Sequence, residues 1–235
     1  MICTGGRALG AVALAVALTP LAAATISLPA VAHGAPSGCA DVELVFARGT
    51  FEPAGLGRVG DAFAAALQSR LPDRSVATYA VNYPASLDFG RAAEGVADAS
   101  RHIQQVVQRC PGTEVVLGGY SQGAAVSAYV TADSIPANVA LPAGIGGPMP
   151  TASADRVAAV TLFGKPSREM VGLLYREAPP IALGASYASK TLDLCAPGDP
   201  ICQPGSLDRA AHSSYTVNGM VDRAADFVAR RLQAA

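Results

Sequence analysis

The stretch EVVLGGYSQGAAVSAYVTA, residues 114–132, decides the fold. Glu114 to Gly118 is rich in β-branched residues and reads as a short buried strand. Ser121 to Ala132 reads as the helix that follows it, opening on the small residues Ala124 and Ala125. Between them stands Gly119-Tyr120-Ser121-Gln122-Gly123, a G-x-S-x-G turn in strand–turn–helix context. Such a turn is so tight that bulky neighbours clash, which explains glycine two positions before and two after the serine. It holds the Ser121 hydroxyl out at the carboxyl end of a sheet. The backbone N–H of Gln122 points at the same spot from a helix N-terminus. That N–H and the helix dipole suit a developing oxyanion.

Working outward, strands and helices alternate. Val42 to Ala47 is a buried-strand pattern broken by Arg48-Gly49-Thr50. Arg58 to Leu71 carries apolar residues at helical spacing. Val76 to Tyr83 reads as a strand stopped by Pro84, and Phe89 to Cys110 as a long amphipathic helix. Downstream, Asn138 to Ser153 is a loop dense in Pro and Gly. Arg156 to Phe163 and Ser186 to Leu194 complete five strands. Tyr215 to Leu232 is the last helix, with Val217, Val221, Ala224, Ala225, Val228 and Leu232 expected inward. Lys165 to Ala185 gives no clear pattern and is the one place where an amphipathic lid helix could sit. The alternation predicts an α/β domain with a central, mostly parallel five-stranded sheet covered by helices on both faces.

The 235 residues are 51% hydrophobic and 15% charged, the balance of a chain with a real core. A formal net charge of −1 supplies no basic field for nucleic acid or an anionic membrane. Arg7 is the only charge before the apolar run Ala8 to Ala24, and Ala30-Val31-Ala32 fits a small-x-small cleavage pattern. Residues 1–32 therefore read as a cleaved secretory signal peptide and residues 33–235 as one mature domain. The run is about 17 residues long, at the short limit for a bilayer span. Cys3 leaves with the signal. Cys39, Cys110, Cys195 and Cys202 remain, an even number that implies two disulfides in a secreted chain. Cys195 and Cys202 bracket a short Pro/Gly-rich loop and are paired on that ground, which leaves Cys39 with Cys110. The spacings lack the close C-x-x-C pairs of a zinc site.

Ser121 needs a base. Of the three histidines, His33 lies in a lead-in, and His102 lies in the long helix, expected on its surface. His212 alone follows the serine, as the hydrolase order of serine, acid, histidine requires. The acid lies between them, among Asp133, Asp155, Glu169, Glu177, Asp193, Asp199 and Asp208. Asp199, inside the small disulfide loop, has the most rigid mount. Asp193, at the end of a predicted strand, is the other candidate.

The mature chain resembles the cutinase family, especially its mycobacterial and related actinobacterial esterases. Ala47-Arg48-Gly49-Thr50, Gly119 to Gly123, the loop Cys195-Ala196-Pro197-Gly198-Asp199-Pro200-Ile201-Cys202 and the segment Ala211-His212 to Tyr215 carry the resemblance. It implies an α/β-hydrolase without a large lid, a Ser121–His212–Asp199 triad and the disulfides Cys39–Cys110 and Cys195–Cys202. It also implies an oxyanion hole from Thr50 and Gln122, and a structural Arg48. The activity implied is hydrolysis of short- to medium-chain carboxylic esters, cutin-like polyesters or lipids, with transient contact to a lipid surface. The other readings are a lipase, phospholipase or thioesterase of the same fold, or a non-catalytic surface antigen. The expected protein is a secreted or cell-surface monomer that needs no metal or cofactor and binds no nucleic acid.

Overall fold

The computed structural model describes residue 2 and residues 38–135 and 147–233. The expected signal peptide falls, but for residue 2, outside these residues, as do the lead-in with His33 and most of the 138–153 loop. Five strands form one sheet: β1 (Val42–Ala47), β2 (Val76–Ala80), β3 (Glu114–Tyr120), β4 (Val157–Phe163) and β5 (Thr191–Leu194). Their order is β2-β1-β3-β4-β5, and every pair is parallel. Parallel neighbours require crossovers, and helices supply them: α1 (Gly57–Arg70), α2 (Ala92–Arg109) and α3 (Gln122–Val130) connect the first strands. Later come α4 (Thr151–Arg156), α5 (Arg168–Leu174), α6 (Ala185–Ala188), α7 (Arg209–His212) and α8 (Met220–Gln233).

Side chains alternate across each strand, so one run feeds two cores. From β1, Val42, Leu44 and Phe46 pack with Val59, Phe63 and Leu67 of α1 and Ala224 and Val228 of α8. Val45 and Ala47 face the other way, onto Ile103 and Val106 of α2 and Val126 of α3. Phe46, Phe63 and Phe163 form a ring cluster with centroids 5.5 to 6.2 Å apart. Each such buried ring contributes roughly 1.5–3 kcal/mol. Phe163 also meets Tyr215 edge-on at 6.1 Å, so the core runs directly into the loop region above the sheet.

Strand order sets where a ligand goes. The chain leaves β1 toward β2 on one side and returns to β3 on the other. Open α/β sheets take ligands at that switch point, beyond the carboxyl ends of the strands. Thr50 follows β1 and Ser121 follows β3, so these two flank it.

Several expectations need correction. β2 ends at Ala80, because beyond Val81 the carbonyls of Val81 and Tyr83 accept from the Arg48 guanidinium rather than joining the sheet. The segment expected as loop up to Ser153 turns helical at Thr151. β5 starts at Thr191, since Gly184 opens the single helical turn α6 before it. The last helix begins at Met220, not Tyr215: Tyr215 is fully buried while Val217 is 83% exposed, not inward. His102 is half-buried rather than a surface residue, 2.5 Å from Glu43 Oε1 and stacked on Tyr79.

Candidate active site

Ser121 sits between β3 and α3 with φ 55° and ψ −119°, a conformation rare for a residue with a side chain. Such strain costs on the order of 1–3 kcal/mol and persists only where its surroundings enforce it. Here they do. A Cβ on Gly119 would lie 2.2 Å from the Gly123 carbonyl oxygen, and one on Gly123 would lie 2.0 Å from that of Ala47. The Ser121 N–H donates to Phe163 O at 2.9 Å, and Ser127 Oγ donates to Gly118 O at 2.7 Å, pinning helix to strand.

His212 ends the one-turn helix α7, whose start is capped by the Asp208 carboxylate accepting from the N–H groups of Ala210 and Ala211. Its Nε2 is 2.9 Å from Ser121 Oγ and its Nδ1 2.8 Å from Asp199 Oδ2. Tyr120 stacks on the imidazole at 5.0 Å, and Tyr215 meets it edge-on at 6.3 Å. The Tyr120 hydroxyl also donates to the His212 carbonyl at 2.6 Å. Ring orientation is thus set from two faces.

Asp199 is fully buried in the loop closed by Cys195–Cys202, and Cys39–Cys110 forms the second disulfide. Burial alone would push its carboxyl up. Donors from His212, Tyr215 and the Ile201 N–H outweigh that, and the net displacement is downward. Oδ2 accepts from the Tyr215 hydroxyl at 2.6 Å as well as from His212, and Oδ1 accepts from Ile201 N at 2.9 Å. Asp193, the other candidate acid, instead pairs with Lys165 at 3.2 Å.

The side of the site beside Gln122 is built from the loop after β1. Gly49 N donates to Glu52 Oε2 at 2.7 Å, Phe51 N to Ala85 O at 2.7 Å, and Glu52 N to Gly49 O at 3.2 Å. Among the described residues, the N–H of Thr50, between those tied amides, and that of Gln122 have no acceptor. The Thr50 hydroxyl reaches Gln122 Oε1 at 3.4 Å, and Gln122 Nε2 donates to Ser86 O at 3.0 Å. Arg48 supports the loop from beneath. It is buried, has no carboxylate partner among the described residues, donates to the carbonyls of Glu52, Val81 and Tyr83, and lies 5.2 Å from the Tyr83 ring centroid.

A cavity of about 340 Å³ opens onto Ser121 and His212, lined mostly by apolar side chains. It lies within the size range of small-molecule sites. One wall comes from Val171, Leu174, Tyr175 and Ala178, so the unreadable 165–185 stretch is a groove wall carrying the seven-residue α5. All five expected site residues, Ser121, Asp199, His212, Thr50 and Gln122, therefore converge at the switch point. Sequence reasoning missed Tyr215 as a partner of Asp199 and Glu52 as the lock of the loop that carries Thr50. Neither carries a local signal, since both contacts depend on how separate loops dock. Among the described residues no group of three or more His, Cys, Asp and Glu side chains could hold a metal ion.

Sheet order and nucleophile turn together define an α/β-hydrolase. A family model for cutinase matches residues 38–232, and the chain belongs to the cutinase family of carboxylic ester hydrolases. It is 50% identical over 212 residues to Phospholipase Culp4 of Mycobacterium tuberculosis, covering 90% of this chain and 88% of that one. Over 213 residues it is 46% identical to Carboxylesterase Culp1 of the same organism, covering 89% and 90%. Among solved structures it is similar to Trichoderma reesei cutinase in complex with a C11Y4 phosphonate inhibitor. The TM-score is 0.60 at 33% identity, covering 83% of this chain and 77% of that one. An acetyl xylan esterase shares the fold with a TM-score of 0.67 at 24% identity, covering 83% and 99%.

Proposed function

We propose that the mature chain, residues 33–235, is a secreted monomeric serine esterase acting on short- to medium-chain acyl esters. The observation that carries this reading is the continuous relay of 2.9 and 2.8 Å from Ser121 Oγ through His212 to the buried carboxylate of Asp199. His212 takes the Ser121 proton as Oγ attacks the ester carbonyl. Asp199 fixes the imidazole tautomer and stabilises the imidazolium. The N–H groups of Thr50 and Gln122 receive the charge on the carbonyl oxygen. His212 then protonates the departing alcohol, and water cleaves the acyl-enzyme by the same route. The apolar groove takes the acyl chain, and its apolar rim meets a lipid or polyester surface. Export is supported by the apolar N-terminal run with its cleavage pattern and by the two disulfides. No helix among the described residues is long and apolar enough to cross a membrane.

The direct test is hydrolysis of p-nitrophenyl butyrate by the oxidised protein beside Ser121→Ala. The parent should turn over, and the variant should fall to near background, since the serine, base and acid act as a unit. Equal rates in the two would remove Ser121 from the mechanism. A phospholipase reading is favoured by the 50% identity to Phospholipase Culp4. Release of fatty acid from phosphatidylcholine vesicles, lost in Ser121→Ala, would support it.

A further inference from the structure

The groove runs along α3. Ser121, Ala125 and Tyr129 all line it, at positions i, i+4 and i+8 of one helix face. Eight residues at 1.5 Å each put Tyr129 about 12 Å along the axis from Ser121. Phe89, Ala92, Tyr175 and Ala178 line the same cavity. At Ala125 the floor is a single methyl group, so nothing fills the first turn beyond the nucleophile.

At Tyr129 the groove stops. The Tyr129 hydroxyl donates to Pro179 O at 2.6 Å, bridging α3 to the segment that forms the opposite wall. One turn further on, that segment lies directly on the end of α3. Gly184 N donates to Thr131 O at 3.0 Å and Ala185 N to Asp133 Oδ2 at 2.6 Å. A Cβ on Gly184 would be 2.2 Å from Asp133 Oδ1, so the two segments are packed in close contact there. No residue of α3 beyond Tyr129 lines the cavity. Among the described residues, none of 130–135 or 179–188 lines the cavity, so its lining along α3 ends at Tyr129.

We propose that Tyr129, strapped to Pro179, sets the acyl length this site accepts, closing the groove roughly eight to ten carbons from the scissile carbonyl. The estimate comes from an extended chain gaining about 1.2 Å per bond, one third of the residue repeat, over a depth of about 10–12 Å. The side chain of Tyr129 leans toward the helix N-terminus and takes the difference. This inference rests on the serine-esterase reading and adds the residue that fixes its substrate length. Longer acyl chains must leave part of their apolar length in water or bend out over the rim, losing the burial that drives binding.

The test is kcat/KM across p-nitrophenyl esters from acetate to hexadecanoate, for the parent, Tyr129→Ala, Tyr129→Phe and Ala125→Leu. In the parent, kcat/KM should climb to about ten carbons and then fall. Tyr129→Ala opens the end, and the tetradecanoate-to-octanoate ratio should rise about tenfold or more. Tyr129→Phe keeps the ring and loses the strap, so its ratio should rise less. Ala125→Leu plants a branched side chain one turn from Ser121, and its decanoate-to-butyrate ratio should drop about tenfold or more, the scale of methylene discrimination in apolar pockets. Melting curves identify variants that fold; Ala125→Leu carries the test if Tyr129→Ala does not. Folded variants with the parent's length profile would overturn the gauge while leaving the esterase reading standing. A parent that hydrolyses no ester of any length would remove both.

Discussion

One oxygen of Asp199 serves two donors, and only one of them, His212, also contacts Ser121. The Tyr215 hydroxyl reaches Oδ2 at 2.6 Å while accepting from Ala196 N at 3.0 Å, and the residue is fully buried. Burial and the neighbouring carboxylate push the Tyr215 phenol up, so it stays a protonated donor. Its contribution to Asp199 is electrostatic as well as positional. Because the Asp199 carboxyl is held below the usual carboxylate range, its ionised form adds stability in full above that range. The contribution is lost as pH falls through the lowered folded value. Tyr215→Phe keeps the ring among Phe163, Tyr120 and His212 but removes one donor, so the folded value rises. The stability gap between parent and variant, measured by urea melts, should therefore be constant from pH 7 to about 5 and then change as pH falls toward 3. The variant loses the carboxylate's contribution earlier and reaches the plateau of the protonated acid first. A gap independent of pH would assign the hydroxyl to Ala196 N alone, a buried N–H whose orphaning costs about 1–3 kcal/mol. On the esterase reading, kcat/KM should also fall about tenfold, because Oδ2 keeps only its His212 contact and the carboxylate orients the imidazole less firmly.

At the scale of elements, the two disulfides separate fold from site. The chain-entropy model gives about 4.4 kcal/mol for the loop closed by Cys39–Cys110 and about 2.5 kcal/mol for that closed by Cys195–Cys202. The first ties the lead into β1 to the end of α2, far from the carboxyl ends of the strands. The second carries Asp199. Cys39→Ala/Cys110→Ala should accordingly lower the melting temperature more, and Cys195→Ala/Cys202→Ala should lower kcat/KM more. The same ranking by both measures would contradict this division. The central strands β1, β3 and β4 could be read from sequence because each is a short apolar run buried nearly throughout, as inner parallel strands are, whereas the edge strands β2 and β5 are mostly half-buried. The convergence of Ser121, His212 and Asp199 was equally legible, since a tight glycine-flanked turn, a unique downstream histidine and a disulfide loop are local features. What sequence could not give was decided at a distance. β2 ends where the Arg48 guanidinium takes its carbonyls. The last helix starts late because Asn218 Oδ1 caps Met220 N while Tyr215 drops into the core beside Asp199. The groove wall at 165–185 has no periodicity because α5 contributes no fully buried residue of its own.

For the whole molecule, some of the exposed apolar residues gather at one place, although Leu207 and Val217, also exposed, do not line it. Phe51, Leu87 and Leu174 are 73%, 63% and 39% exposed, and all three line the groove that holds Ser121. Leu173, 76% exposed, extends the same rim at the end of α5. Contiguous apolar surface around a cleft is the mark of a contact site rather than of chance exposure. With a formal net charge of −1, attraction to such a surface is not electrostatic. Burying one leucine from water is worth about 1.5–3 kcal/mol, which is roughly a ten- to hundredfold change in partition. Leu173 does not line the cavity, so its replacement acts on docking more than on the bound chain. Leu173→Glu should therefore lower the rate on an emulsified triglyceride about tenfold relative to its rate on dissolved p-nitrophenyl butyrate. Binding of the parent to phosphatidylcholine vesicles should change little between low salt and 0.5 M salt, because the Debye length falls while the apolar contact remains. An emulsion-to-solution ratio equal to the parent's would remove the rim from substrate contact. Vesicle binding that collapses with salt would replace apolar docking by a charge-driven one.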